Sequence, residues 1–423
     1  TVTPQVLGDY VLRARCGQND EGDTFTIQVV AAILKSLTFD VADGTQHDVV
    51  KERGQGSYPT THWEDNSSPL DGDADDLPDP DKKAPVCYVR GSRMKVDVVF
   101  KLGANITATN AHIMGRGPDD LDFQTSEPVA VNGDTISVSG LVCSRAFPNV
   151  IEVYDPLRIA WEVKLDDGDY GPAGSSDNQL YLIRAAPLAT LYHTVVHLSC
   201  LNGKDAADHD DADAVTLAIW NEFTDRSVTQ VAVPGEAEAR ALTYYDDIGS
   251  QIYGGSGALL AHGDGQCSTW AMLFIDMYKV QGIDYEDEYM MITSTLGDGF
   301  LVANWEFGTP TGFGDFPYIN LDSDPFYGEH EYLWDYHEVS DLPGIPGQGP
   351  TANPASLFYN HQLVRLTIGE SVGYYDPSYG VTYSTLSEID DAMSGFYEDV
   401  LVGAYGMREN PAGTNITDGY VDE

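Results

Sequence analysis

Gly265-Gln266-Cys267-Ser268-Thr269-Trp270-Ala271, continuing through Met272-Leu273-Phe274-Ile275-Asp276-Met277-Tyr278-Lys279-Val280-Gln281-Gly282, decides the reading of the second half of the chain. It follows the glycine-rich segment "GGSGALLAHGDG" and predicts a helix that begins near Gln266 and stops at Gly282. Cys267 then sits in the first turn. A thiol there meets the positive end of the helix dipole and N–H groups without intrahelical partners, which favours the thiolate. Two further stretches belong with it. Asn360-His361-Gln362-Leu363-Val364-Arg365-Leu366 reads as a strand carrying a histidine, and Tyr374-Tyr375-Asp376-Pro377-Ser378 lies on the next strand. Antiparallel neighbours joined by a turn around Gly369 can set His361 and Asp376 side by side. That is the geometry in which a carboxylate orients an imidazole and the imidazole activates a thiol.

Working outward, "YMMITSTL" and "GFLVANWEF" read as strands, followed by a Gly/Pro/aromatic loop over about 308–354. This long insertion is expected to act as a lid, its aromatic residues (among them Phe307, Phe313, Phe316, Tyr318, Phe326 and Trp334) lining a substrate groove. A closing helical segment is expected over about 386–399. Upstream, "DHDDADAVTLAIWNEFTDRSV" predicts a helix with Asp210, Asp211 and Asp213 crowding its first turn and a packing face of Val215, Leu217, Ala218, Ile219, Trp220 and Phe223. "LYHTVVHLSC" is either a last strand of the first domain or the crossing into the second. His193 and His197 have metalloprotease-helix spacing, but the glutamate is missing and Val-Val-His-Leu favours a strand, so packing or surface roles are expected rather than zinc. A motif-bearing helix followed by an antiparallel sheet defines an α+β domain.

The first 190 residues read differently: "DTFTIQVVAAIL", "SRMKVDVVFKL", "DTISVSGLVC", "NVIEVYD", "LRIAWEVKL" and "NQLYLIRAAP" are short runs between turns, with the alternation of half-buried antiparallel strands. An all-β, Ig-like sandwich is expected over 1–190, interrupted by an acidic insertion at about 54–83, with the α+β domain over 191–423.

The ordered set GQC-x-x-W-A, then His361, then Asp376-Pro377-Ser378 resembles the transglutaminase-like superfamily of papain-type thiol enzymes, over about 191–397. The resemblance implies Cys267 as nucleophile, His361 as general acid/base and Asp376 as its orienter. It implies acyl transfer through a thioester, with no cofactor required for catalysis. The backbone N–H of Cys267 is a natural oxyanion donor; Gln266, Trp220 and Tyr244 are candidates for a second.

Composition narrows the partners. With 22 Lys+Arg against 67 Asp+Glu the net charge is −45, which repels phosphate backbones and anionic lipid heads. Nucleic acid is excluded as a partner, and no apolar run approaches the ~20 residues of a membrane helix, so membrane insertion is not expected. Five cysteines, Cys16, Cys87, Cys143, Cys200 and Cys267, show no CxxC pairing. Two disulfides among the first four leave Cys267 over, with connectivity open. The start Thr1-Val2-Thr3-Pro4 reads as a mature terminus and suggests a secreted or cell-surface protein, for which Asn66, Asn105 and Asn415 are glycosylation candidates. Asp71, Asp73, Asp75, Asp79 and Asp81 alternate with small residues and resemble the calcium loops of thrombospondin type 3 repeats, although Asp76 stands where glycine is usual. The other reading of that run is a solvated acidic loop.

The function expected is that of a cysteine-dependent enzyme acting on protein or peptide amides, of protease, amidase or transglutaminase type, with hydrolysis favoured over crosslinking. Two readings compete with it. One is a catalytically inactive structural, filament or adhesion subunit that self-assembles on a cell or filament surface. The other is a calcium-dependent carbohydrate-binding protein with an incidental thiol. Extreme acidity also fits a salt-loving host.

Overall fold

The computed structural model describes residues 8–13, 24–29, 31–39, 46–52, 58, 61–65, 82–103, 106–231, 239–244, 255–285, 289–293, 300–301, 346–350, 357–358, 360–386, 388–389, 394–395 and 416–417. The chain forms two compact units. The first comprises residues 1–49 and 57–183, the second residues 50–56 and 184–423.

Apart from a short 3-10 turn at Pro118–Asp120, the regular structure of the first unit's described residues is β. One layer runs in the order Thr135–Val142, Lys95–Leu102, Ala32–Phe39, Trp63–Glu64, Lys82–Lys83. The other runs Gln46–Asp48, Val86–Val89, Tyr170–Ile183, Glu152–Leu165, Asn110–Arg116, with Asp122–Gln124 also paired to the last. Val129–Asn132 passes between the layers: Val129 and Ala130 pair with Ala111 and Asn110, whereas Val131 and Asn132 pair with Ile136 and Thr135. Alternation explains the layering. Val96, Val98, Phe100 and Leu102 point inward while Lys95, Asp97 and Lys101 point outward. They meet Leu157, Ile159, Trp161 and Val163 from the facing layer in one core, each large apolar side chain contributing about 1.5–3 kcal/mol.

Two sequence expectations change here. "NVIEVYD" and "LRIAWEVKL" form a single strand, Glu152–Leu165, whose register shifts between Tyr154 and Leu157. Pro156, which has no N–H to give the ladder, falls in that shift. The insertion at 54–83 is part of the sheet at both rims, where Trp63–Glu64 pairs with Ser36–Leu37 on one side and Lys82–Lys83 on the other. One pair is parallel, Val86–Val89 with Leu180–Ile183.

The helices of the second unit include α1 (His193–Gly203), α2 (Ala212–Thr224), α3 (Ser256–His262) and α4 (Cys267–Lys279). Its main sheet is antiparallel, in the order Val381–Tyr383, Ser371–Asp376, Asn360–Ile368, Tyr289–Thr293, Ile416–Thr417. With separate helical and antiparallel parts the class is α+β. No helix among the described residues is long and apolar enough to cross a membrane.

The strand-like reading of "LYHTVVHLSC" is overturned: from His193 onward it is α1, with His193, Thr194, Val195, Val196, Leu198, Ser199 and Cys200 buried. Burial outweighs the β preference of Thr-Val-Val, a weak bias. The helix is also capped from a distance. Tyr192 supplies no side-chain cap, and the Glu52 carboxylate instead accepts from Thr194 N and from Gln230 Nε2. Val50 N donates to Leu191 O at 2.9 Å and His193 N to Val50 O at 3.1 Å. These bonds stitch residues 50–52 onto the second unit. α2 begins as its sequence suggests, with the Asp211 side chain accepting from Asp213 N at 3.0 Å. Leu217, counted in its packing face, is exposed. The closing helix expected over 386–399 is interrupted: Leu386, Glu388 and Ile389 are helical, but Ser394–Gly395 pairs as a strand with Phe300–Leu301.

Candidate active site

The lead-in to α4 fixes the position of Cys267. Asp264–Gly265 pairs in parallel with Thr243–Tyr244, Gln266 is extended at φ −90° and ψ 176°, and Cys267 is the first helical residue. Thr269 Oγ1 donates back to Gln266 O at 2.8 Å. A β-carbon on Gly265 would overlap that hydroxyl, so the turn requires glycine. Beyond the first turn, Trp270, Ala271, Leu273, Phe274, Ile275, Met277 and Tyr278 are buried and fix the helix against the rest of the unit.

The Asn360–Ile368 and Ser371–Asp376 strands form a hairpin in which Ile368 pairs with Ser371 across Gly369, whose φ is +60°. Val364 opposes Tyr375, so continuing the register puts Asp376 diagonal to His361 on the same face rather than directly across. The diagonal brings the side chains together: His361 Nε2 lies 2.8 Å from Asp376 Oδ2, both residues fully buried. Asp376 Oδ1 accepts from Ser378 N at 3.1 Å, and Gly380 N closes the turn on Asp376 O at 2.8 Å.

Burial alone would lower the His361 pKa. The charge and hydrogen bond of Asp376, with a contribution from Cys267, outweigh it and raise the imidazole to about 10. With Nε2 held by Asp376, Nδ1 is the nitrogen left to exchange a proton with the thiol. The Cys267 thiol donates to Gln362 Oε1 at 3.4 Å. Thus Cys267, His361 and Asp376 come together, and Gln362 joins them.

An aromatic and polar shell encloses the carboxylate. The Tyr379 ring lies 5.7 Å from the imidazole, and Tyr244 packs edge-on to Tyr379 at 5.2 Å. Burial and the Asp376 charge hold the Tyr379 and Tyr383 phenols well above their ordinary pKa, hence neutral. Pro346–Pro350, at the end of the expected lid, is a strap behind the same turn. Gln348 is fully buried; its Nε2 donates to Phe223 O at 2.8 Å and Pro377 O at 2.9 Å, and its N–H to Ser378 O at 2.8 Å. Gln362 carried no sequence signal beyond its place next to His361, and Gln348, inside the 308–354 loop, carried none.

Gln266 lies beside the thiol, directly before Cys267, and other expected residues fall elsewhere. Trp220 packs in the core against Phe223, Phe274 and Tyr375, and Gln266 serves as the residue before α4 without a side-chain cap bond. His193 and His197 lie on one helix, and burial with the nearby His197 lowers His193 to about 3. Among the described residues no His/Cys/Asp/Glu group is arranged to hold a metal ion. Asp71, Asp73, Asp75, Asp79 and Asp81, the sequons at Asn66, Asn105 and Asn415, Cys16, and the lid apart from 346–350 lie outside the described residues. No disulfide forms among Cys87, Cys143, Cys200 and Cys267, all of which are buried, so the pairing expected within the first four is not made by Cys87, Cys143 and Cys200 with one another.

No protein-family model and no curated protein sequence matches the chain. A thiol at a helix start, an imidazole of raised proton affinity and a buried carboxylate holding that imidazole can move a proton off sulfur and return it to a leaving group.

Proposed function

We propose that the second unit is a cysteine-dependent acyl-transfer enzyme of the transglutaminase-like, papain-like kind, acting on protein or peptide amides through a thioester. One observation carries this reading: the buried His361–Asp376 pair at 2.8 Å, set beside a cysteine that opens a helix. With its pKa raised to about 10, His361 holds the Cys267 proton at neutral pH; the thiolate attacks the amide carbonyl, the imidazolium protonates the departing amine, and water or a second amine resolves the thioester. Hydrolysis is favoured, since water competes unless the site excludes it. The net charge of −45 suits Lys-bearing polypeptide substrates. The first unit is proposed as an Ig-like recognition module of a secreted or cell-surface protein, with calcium in the 71–81 run as a structural ion.

The structural-subunit reading keeps one supporting observation: Cys267 is only 5% exposed, so a substrate needs the site to open. Iodoacetamide labelling with peptide mapping separates the two. Selective alkylation of Cys267 at pH ~6, where an ordinary thiol of pKa ~8.5 is scarcely ionised, is expected in the wild type. It should fall at least about 10²-fold in His361→Ala, the low end of what a positioned base contributes. A Cys267 that reacts only after unfolding refutes the enzyme reading.

A further inference from the structure

Besides His361, a residue outside the sequence candidates touches the Cys267 thiol. Gln362 follows the histidine on its strand, and its side-chain oxygen accepts from the Cys267 thiol at 3.4 Å. Gln362 is half-buried, whereas His361 and Asp376 are sealed. Of the side chains around the sulfur, Gln362 thus keeps more solvent exposure than His361 and Asp376. Trp220 and Tyr244 are committed elsewhere, the first to an aromatic cluster and the second to Tyr379.

Resting on the acyl-transfer reading above, we infer that Gln362 is a catalytic residue whose side-chain amide, with the Cys267 N–H at the head of α4, receives the oxyanion of the tetrahedral intermediate. A primary amide carries an acceptor and a two-hydrogen donor on one carbon, and a half-turn of its last torsion exchanges them without moving the backbone. In the resting site the oxygen faces the thiol. Once the proton passes to His361 the sulfur becomes an acceptor, and the amide turns its NH2 inward. Sulfur then bonds to the carbonyl carbon, the π pair moves onto oxygen, and that oxygen lies between Gln362 Nε2 and Cys267 N. Collapse restores the carbonyl, breaks the bond to the leaving group and leaves the thioester.

Two probes isolate this role. Iodoacetamide reacts with the thiolate by displacing iodide from a saturated carbon, so no oxyanion forms at the attacked atom. p-Nitrophenyl acetate acylates the same sulfur through a tetrahedral oxyanion and releases p-nitrophenolate. In Gln362→Met, which keeps length but has no donor, alkylation should stay within about threefold of wild type while the acylation burst slows by about 10²-fold, the size of one lost oxyanion donor. Gln362→Glu, an acceptor only at neutral pH, should slow acylation at least as much. Wild-type alkylation in Gln362→Met also certifies that its site has folded; in Gln362→Glu, where the carboxylate beside the sulfur disfavours the thiolate, the readout is acylation relative to alkylation.

Equal losses with both probes would overturn the inference by placing Gln362 in thiol activation or folding, and no loss with either would place the donor elsewhere. A wild type that alkylates at Cys267 but is not acylated overturns the oxyanion role and leaves the activated thiol standing. A wild type unreactive to both removes the acyl-transfer reading and this inference with it.

Discussion

Replacing Asp376 by asparagine tests the logic of the site with a change of a single atom. Asp376 makes two contacts that demand acceptors: Oδ1 takes the Ser378 N–H at 3.1 Å and Oδ2 faces His361 Nε2 at 2.8 Å. An amide has only one oxygen. The Ser378 N–H belongs to the turn backbone and cannot reverse, so the asparagine oxygen stays with it and the NH2 is turned on His361. Nε2 must then accept, the ring proton moves to Nδ1, and the nitrogen facing the thiol can no longer take a proton. The charge that offsets burial is lost as well, so the imidazole pKa drops from about 10 to below its ordinary 6.5. That is a loss of about three decades of proton affinity or more. A comparable carboxylate-to-amide change in a serine triad costs about 10⁴ in turnover through the same tautomer error. The expected result is a fall of about 10³-fold in Cys267 alkylation at pH ~7, with rates converging on wild type where the thiol ionises unaided. An Asp376→Asn protein that is folded by near-UV circular dichroism and keeps the wild-type pH–rate profile would refute the assigned roles.

The same pair predicts a pH dependence of stability. Because the folded His361 pKa is raised above 6.5, its contribution is fully present below pH 6.5 and is lost as pH rises through about 10. Urea midpoints of the second unit should therefore fall between those limits in wild type and change less in Asp376→Asn. Glu52→Ala should destabilise the second unit by about 3–5 kcal/mol, since it strips a charged acceptor from two buried donors, Thr194 N and Gln230 Nε2. Hydrogen exchange of the α1 amides reads this directly, and protection unchanged from wild type would show that the distant cap contributes nothing.

What the sequence determined by itself was local. The start of α4 was legible in Gly265-Gln266-Cys267, because a small residue before an extended one is what a helix entry needs within a few bonds. The acidic start of α2 and the turn at Gly369 were legible for the same reason, as was the alternation of strands such as Lys95–Leu102, which is a property of each strand alone. What only the tertiary structure decided involves partners far apart in the chain. Glu52 caps α1 from 142 residues away, and without that bond and the burial around it Thr194-Val195-Val196 reads as a strand. Cys267 and Gln362 are 95 residues apart and Gln348 lies 125 from Phe223, so neither glutamine could be assigned a role from its neighbours. Even the His361–Asp376 pair, readable as two neighbouring strands, needed the actual register to show a diagonal contact. Backbone propensity, turn chemistry and helix caps act over a few residues and are written in order along the chain. Burial and the pairing of buried polar groups depend on which distant segments exclude water together, and only the folded chain specifies that.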